Sequence, residues 1–300
     1  MAAAEVNHGQ AEVMAATAET VSVILVTHNS QPVLPDCLTG LKQSFNGYRS
    51  EIITVDNGST DDSINVLRRY FPDAKIVTNQ RNTGFGAACN AGAREATGDY
   101  LLFLNPDVTV DREAIVELIR TLKGHRDAGI VAGRMRFPNG VFQATCRRLP
   151  RLSNLPFSRG SILSRFLSHD SVYTLPDYED ITPVPATSGT MMMIRRELFN
   201  SVGGFDARFF MFMEDVDLCL RLNGLGHRHY FVPTAGGVHL WGRGSNAGKF
   251  RRNCHHHWAA WKYFRKHYPN VLSFFVLPFM LAANLLLVTL LPVKQPAGRR

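Results

Sequence analysis

The feature that most constrains this chain lies between residues 21 and 133, where nearly all-apolar runs alternate with segments of helical spacing. Val21-Ser-Val-Ile-Leu-Val26, Glu51-Ile-Ile-Thr-Val-Asp56, Lys75-Ile-Val77, Tyr100-Leu-Leu-Phe-Leu104 and Gly129 to Ala132 read as strands. A run that is apolar at every position, not at every second one, suits a strand buried on both faces, as in a parallel sheet. Between these runs, residues 33–45 carry Leu34, Leu38 and Leu41 on one helical face. Leu67, Tyr70 and Phe71 belong to a second helix ended by Pro72, and Glu113 to Lys123 form another. Ser59 is placed to cap the second helix, with Asp62 completing a capping box. Such alternation specifies an α/β architecture, a mostly parallel central sheet with flanking helices. Ligands of such sheets bind beyond the carboxyl ends of the strands. Thr27, Asp56 and Asp107 lie at three of those ends, so separate segments converge on one crevice.

Downstream the pattern changes. Residues 134–185, with Arg134, Arg136, Arg147, Arg148, Arg151, Arg159 and Arg165 among Pro, Ser and Phe, read as a loop-rich excursion over the crevice. Thr187 to Ile194 and His227 to Val232 return to strand, and Gly237 to Ser245 reads as a Gly-rich loop. Asn82-Thr-Gly-Phe-Gly opens a helix of small residues. Gly84 and Gly86 there permit either a close backbone approach to a ligand or tight packing on the sheet. Met211-Phe-Met-Glu-Asp-Val-Asp-Leu-Cys-Leu-Arg221 places Glu214, Asp215 and Asp217 in a first helical turn, where the helix dipole favours them. They are either an N-terminal cap or carboxylates held at a pocket edge as a general base. Asp217 is spaced to pair with Arg221 along one helix face.

The net charge of +8 over 300 residues suits phosphorylated or anionic-lipid partners. No basic-aromatic code for nucleic acid accompanies it, so a nucleic-acid partner is not expected. Five widely spaced cysteines with no C-x-x-C fit a reducing compartment, without a disulfide framework or zinc knuckle.

Several motifs resemble those of family 2 glycosyltransferases of GT-A fold, in particular the bacterial rhamnosyltransferase-like branch acting on polyprenyl-diphosphate-linked sugars. They are Thr27-His28-Asn29, Val55-Asp56-Asn57-Gly58-Ser59-Thr60-Asp61, Asn82-x-Gly-Phe-Gly-x-Ala-x-Asn90, Phe103-Leu-Asn-Pro-Asp107, Ser188-Gly189, Gly204-Phe205-Asp206, Glu214-Asp215-x-Asp217-Leu218-x-x-Arg221 and His239. Each is weak alone; their number and order are specific, over roughly residues 20–268. The resemblance implies inverting transfer from a nucleotide-sugar donor, dTDP-L-rhamnose, to a lipid-diphosphate-linked GlcNAc in cell-envelope polysaccharide synthesis. It gives nucleotide-binding roles to Thr27, Asn29, Asp56, Asn57, Arg81, Asn82 and Asn105, with Asp56 on the pyrimidine base. It makes Asp107 the ligand of a Mg²⁺ or Mn²⁺ ion bridging the diphosphate, and His239 a further ligand or a histidine packed beside Trp241. Where many members carry Asp-x-Asp, this chain has Asn105 first, a neutral and weaker ligand suited to the ribose or an outer-sphere water. Asp215 is the implied base, with Glu214 as rival or as acceptor contact.

A UDP-sugar donor in another polysaccharide pathway, a sugar-nucleotide pyrophosphorylase and a non-catalytic nucleotide-binding scaffold are the competing readings. Thr-His-Asn after the first strand, in place of a Gly-rich triphosphate loop, disfavours the pyrophosphorylase. The retained Glu214-Asp215 disfavours the scaffold. The expected organisation is a disordered tail at 1–20, a GT-A domain at 21–245, a basic aromatic interfacial helix at 246–270 and a hydrophobic membrane-associated segment at 271–293. In the third part Trp258, Trp261 and Phe264 or Arg265 recur at helical spacing among cations, as in a helix at the headgroup level. The fourth just reaches the roughly 20 residues a span needs, and Pro278 and Asn284 also suit a re-entrant hairpin. Its alternative is a final core helix. A donor made in the cytosol puts the expected location at the cytoplasmic face of the bacterial plasma membrane.

Overall fold

Consecutive residues of the first strand feed two different cores. Val21, Val23 and Leu25 pack with Leu34, Leu38, Leu118 and Ile119 on one face of the sheet, while Ile24 and Val26 pack with Ala88, Phe103 and Phe205 on the other. Period-2 side chains with both faces buried account for the continuous apolar runs in the sequence. The computed structural model describes residues 19–45, 47–155, 174–240 and 248–290. The expected tail lies outside these residues but for its last two.

In chain order the elements begin with β1 (Thr20–Thr27), α1 (Leu34–Ser44), β2 (Arg49–Asp56), α2 (Ser63–Tyr70), β3 (Lys75–Thr78), α3 (Phe85–Arg94), β4 (Tyr100–Leu104) and β5 (Val108–Val110). Then follow α4 (Ala114–Gly124), β6 (Ala128–Arg136), β7 (Phe142–Gln143), β8 (Cys146–Arg147), β9 (Thr182–Val184), β10 (Ala186–Thr187) and β11 (Met191–Arg195). The rest are α5 (Arg196–Ser201), α6 (Glu214–Gly224), β12 (Arg228–His239), α7 (Lys249–His267) and, after a π turn at Leu272–Val276, α8 (Leu277–Leu290).

The main path of the sheet runs β3-β2-β1-β4-β11-β6-β12-β5. β3, β2, β1 and β4 are mutually parallel, and β1 registers Thr27 against Asp56 and Leu25 against Leu104. The carboxyl ends of β1, β2 and β4 are therefore level. On this path β3, β2, β1, β4, β6 and β12 run the same way, so the sheet is mostly parallel with antiparallel insertions. β11 inserts antiparallel between β4 and β6, and β5 pairs antiparallel with β12. Alternating βα spacing says nothing about a strand that arrives from far downstream, which is why β4 and β6 are separated.

Four local expectations change. α2 begins at Ser63, and no Ser59 capping box forms. Ser59 instead receives the Asn29 N–H on Oγ at 3.0 Å and donates its own N–H to Asp56 at 3.1 Å, so loop-to-loop bonding wins over capping. The expected strand at 187–194 is broken at Ser188-Gly189-Thr190, where Ser188 and Asn105 take backbone bonds that leave the ladder. Gly237 to His239 continue β12 instead of opening a loop, because β5 supplies a partner ladder. Gly84 and Gly86 approach protein, and not the sheet. Gly84 (φ +91°) closes on the Phe210 backbone and Gly86 on the side chains of Phe205 and Glu214.

The Gly84 contact anchors the segment that leads into α6. A Cβ there would lie 2.3 Å from the Phe210 carbonyl oxygen, and the Phe85 N–H donates to that oxygen at 3.0 Å. Gly84→Ala adds both a left-handed alanine and a backbone clash, together about 2–4 kcal/mol. The expected outcome is a melting temperature lower by roughly 5–15 °C. An unchanged melting temperature would show that the Phe210 backbone does not close on Gly84.

Candidate active site

A cavity of about 300 Å³ opens beyond the carboxyl ends of β1, β2 and β4, roofed by the segment before α6 and by α7. Its acidic side holds Asp107, Glu214 and Asp215, and its basic side Arg147 and Arg252. His28, Asn57, Asn82, Asn105, His239 and His256 add to the polar lining, with the hydroxyls of Thr145, Ser188 and Thr190.

Asp107 meets His239 through a short strand. β5 begins one residue after Asp107, and its antiparallel pairing places Val108 opposite His239. The Leu240 N–H also donates to the Asp107 carbonyl at 3.0 Å. As a result His239 Nε2 lies 3.3 Å from Asp107 Oδ1, with both side chains buried. His239 Nδ1 faces the Gln143 Oε1 at 2.6 Å; in the tautomer that donates from Nδ1, Nε2 presents its lone pair on the Asp107 side. A carboxylate and an imidazole lone pair converging on one cavity wall suit a hard divalent ion whose other ligands are phosphate oxygens. Among the described residues no group of three or more His, Cys, Asp or Glu ligands forms, so such an ion would depend on its substrate for ligands. Asn105 lies beside the pair, its N–H bonded to the Thr190 carbonyl at 3.0 Å.

The two carboxylates at the start of α6 stand in different surroundings. Asp215 accepts the Gly189 N–H at 3.1 Å and the Val216 N–H at 2.8 Å, and Arg147 stands 3.7 Å away. Glu214 is just as buried, yet its Oε2 has no partner among the described residues. Burial, and then the Asp215 charge, pushes the Glu214 carboxyl up to about 8. Of the two acids, Glu214 is thus biased toward its protonated form, in which it is a hydrogen-bond donor.

The nucleotide-side residues divide. Asn57 and Asn82 line the cavity, but Asn57 Oδ1 accepts from Asn79, the Thr83 N–H and the Thr83 hydroxyl, and its amide donates to Asn82 Oδ1 and to the Gly84 carbonyl. This network holds the β2–α2 and β3–α3 loops together. Asn29, at φ 53°, binds the Thr60 N–H through Oδ1 and clamps the loops from outside. Thr27, Asn29, Asp56 and Arg81 are not among the cavity-lining residues. Thr27 is fully buried, with Oγ1 unpartnered among the described residues, Asp56 is spent partly on Ser59, and Arg81 is exposed. Trp241 lies outside the described residues.

Sequence reasoning missed the second half of the wall. Arg147 figured only as one arginine of a basic run, yet β8 aims it at Asp215. Arg252 and His256 reach the cavity from α7, more than thirty residues beyond Asp217 in the chain. Burial, His257 and Arg147 push the His256 imidazole down to about 4, so it enters the site neutral. The His255-His256-His257 run was the only signal, and a run gives no direction. Asp217 pairs with Arg221 as its spacing predicts, at 2.8 Å, but also takes Lys266 at 2.5 Å and His267 at 2.7 Å.

Between its unfolded value near 4.5 and about 8, folded Glu214 keeps a proton that the unfolded chain has lost. Stability then falls as pH rises through that window. Glu214→Gln cannot ionise, so its urea midpoint should gain on the parent across the window, by at most about 1.4 kcal/mol per pH unit. Below pH 4.5 the two curves should run parallel. Parallel curves throughout would show that Glu214 is ionised in the fold.

A family model described as glycosyl transferase family 2 matches residues 22–203. The N-acetylglucosaminyl-diphospho-decaprenol L-rhamnosyltransferase of Mycobacterium tuberculosis is 30% identical over 236 residues, covering 74% of this chain and 76% of the relative. The rhamnosyltransferase WbbL of Escherichia coli is 27% identical over 227 residues, covering 73% and 83%. Among solved structures, a mannosyltransferase from Pyrobaculum calidifontis in complex with GDP-Man and Mn²⁺ aligns at TM-score 0.55 and 18% identity over 97% of this chain and 84% of that one. Staphylococcus aureus TarS residues 1–349 with UDP aligns at TM-score 0.53 and 16% identity, covering 85% and 73%.

Proposed function

The chain belongs to glycosyltransferase family 2, and from that premise we propose that it is an inverting enzyme moving L-rhamnose from dTDP-L-rhamnose to a GlcNAc linked to a polyprenyl diphosphate. The observation that carries this reading is one cavity in which Asp215, the Asp107–His239 pair and the Arg147 guanidinium face each other. The sugar and acceptor are supported by the similarity to the Mycobacterium tuberculosis rhamnosyltransferase.

Asp215 serves as the base. Its carboxylate takes the proton of the acceptor hydroxyl as that oxygen bonds to the anomeric carbon, and the bond from that carbon to the diphosphate breaks on the far face. The Gly189 N–H and Arg147 fix the carboxylate for this in-line geometry. Glu214, carrying its proton, donates a hydrogen bond to a substrate hydroxyl and orients it. Asp107 and His239 would hold a divalent cation, Mg²⁺ or Mn²⁺, which when bound would supply positive charge to the departing diphosphate. Asn105 contacts the ribose, while Asn57 and Asn82 shape the nucleotide side with Thr27, Asn29, Asp56 and Arg81 behind them. The mannosyltransferase neighbour with Mn²⁺ supports the cation.

A cytoplasmic membrane surface is the proposed location. Among the described residues one helix, Leu272–Leu290, is long and apolar enough to cross a membrane by length and composition; its mean hydropathy is 2.1, with 17% buried. The interfacial part agrees in character, with Arg265 stacked on Trp261 at 4.6 Å and Trp258 exposed.

The deciding experiment offers the purified protein dTDP-L-rhamnose and GlcNAc-diphospho-lipid and follows rhamnosylated product. Thermal stabilisation by dTDP, UDP and GDP runs alongside. Stabilisation by UDP alone would replace the donor with a UDP-sugar. Asp215→Asn should lower kcat by roughly 10²–10⁴-fold with nucleotide affinity nearly unchanged. Near-parental turnover would remove Asp215 from the base role. Asp107→Ala should abolish the Mn²⁺-dependent part of nucleotide binding, measured by calorimetry with and without chelator. Binding that equals the parent's under both conditions would refute the cation site.

A further inference from the structure

α7 has two working faces. Arg252 and His256 point into the catalytic cavity, while the opposite side lines a second cavity of about 490 Å³ between α7 and α8. Trp258, Trp261, Pro278, Leu281, Ala282 and Leu285 give that cavity an apolar wall. His255 lines the groove, and its ring stacks at 4.8 Å on Phe210, next in the chain to the cavity-lining Met211 and Phe212. The groove wall from α8 belongs to Leu272–Leu290, the one helix among the described residues with the length and composition of a membrane span. One helical turn before His255, Arg252 lines the catalytic cavity and makes no side-chain bond among the described residues.

We propose that this groove is a lipid-binding site, which receives the first isoprene units of the prenyl-diphosphate acceptor while Arg252 binds its diphosphate. The assignment deepens the proposed function and rests on its acceptor class. Three features select this occupant. The groove is apolar and neighbours the cavity proposed to take the acceptor sugar, separated from it by the His255–Phe210 stack. A cation, Arg252, faces that cavity one helical turn before His255. One groove wall is the helix that would lie among lipids, so a chain can enter sideways without leaving the apolar phase. An isolated apolar pocket would not need the cation, and a phosphate site would not need the groove.

The groove also contains its own reporter. Of the five cysteines, Cys37, Cys89, Cys146 and Cys219 are buried, whereas Cys254 is half-exposed and lines the groove. The experiment measures alkylation of Cys254 by N-ethylmaleimide in the full-length protein in phosphatidylcholine nanodiscs, read by peptide mass spectrometry. Farnesyl diphosphate should slow alkylation several-fold and saturably, and inorganic diphosphate should not. Arg252→Gln should raise the half-protecting concentration of farnesyl diphosphate by roughly tenfold, the worth of one charged hydrogen bond, and leave that of farnesol unchanged. Ala282→Phe, at an exposed position that does not support the core, should raise KM for a long-chain prenyl acceptor and leave KM for a short alkyl-diphosphate acceptor unchanged. No protection by farnesyl diphosphate, or equal protection by palmitate, would overturn the proposal. If farnesyl diphosphate protects but no prenyl-linked sugar is ever glycosylated, the acceptor reading fails and the lipid site stands. If prenyl-linked acceptors are glycosylated without any protection, this inference fails alone.

Discussion

The site depends on one buried carboxylate. Asp217 has no solvent exposure, and Arg221, Lys266 and His267 all close on it. Burial would raise its carboxyl; hydrogen bonds from His267 and Lys266 outweigh burial and hold it below the usual range. The same cations reach further. Arg221 donates to the Val202 and Gly204 carbonyls, and Lys266 also binds Asp206 at 2.7 Å. One charge centre therefore fixes the turn before α6, the rotation of α6 and the position of α7. Because buried ions are costly unless fully partnered, these elements assemble together or not at all.

That assembly sustains local strain. Phe212 and Met213 are both left-handed, at φ 70° and 68°, directly before Glu214. Two such residues cost on the order of 1–3 kcal/mol each, a cost that persists only where surrounding contacts over-determine the backbone. Gly84 against Phe210 on one side, and Phe209 and Met213 packed on α7 on the other, supply those contacts. The strained pair puts Glu214 and Asp215 at the cavity edge, and burial then divides their chemistry. Donors converge on Asp215, while Glu214 is left without a partner on Oε2 and is biased toward its protonated form.

The binding half of the site shows how loops become a wall. Asn57 bonds to the 79–84 segment on one side and Asn29 to Thr60 on the other. The motifs around these residues are in part scaffolding that holds the strand ends level. Asp107 and His239 are 132 positions apart, and the three-residue β5 ladder brings them to 3.3 Å.

The sequence alone determined the α/β alternation, the two-faced burial of β1 and β4, the place of Glu214, Asp215 and Asp217 in a first helical turn and the length of the apolar C-terminal run. Each of these is local, since a period or a composition follows from neighbours along the chain. Tertiary structure alone decided that β11 enters antiparallel between β4 and β6, that Gly84 serves protein contact, and that Arg147, Arg252 and His256 share the cavity of Asp215. It also decided which of two adjacent acids gathers donors and which is left with a partnerless oxygen. These are properties of pairings across tens or hundreds of residues, and of the burial they produce. Sequence spacing contains neither the partner nor the dielectric surroundings that a side chain meets once the chain has closed on itself.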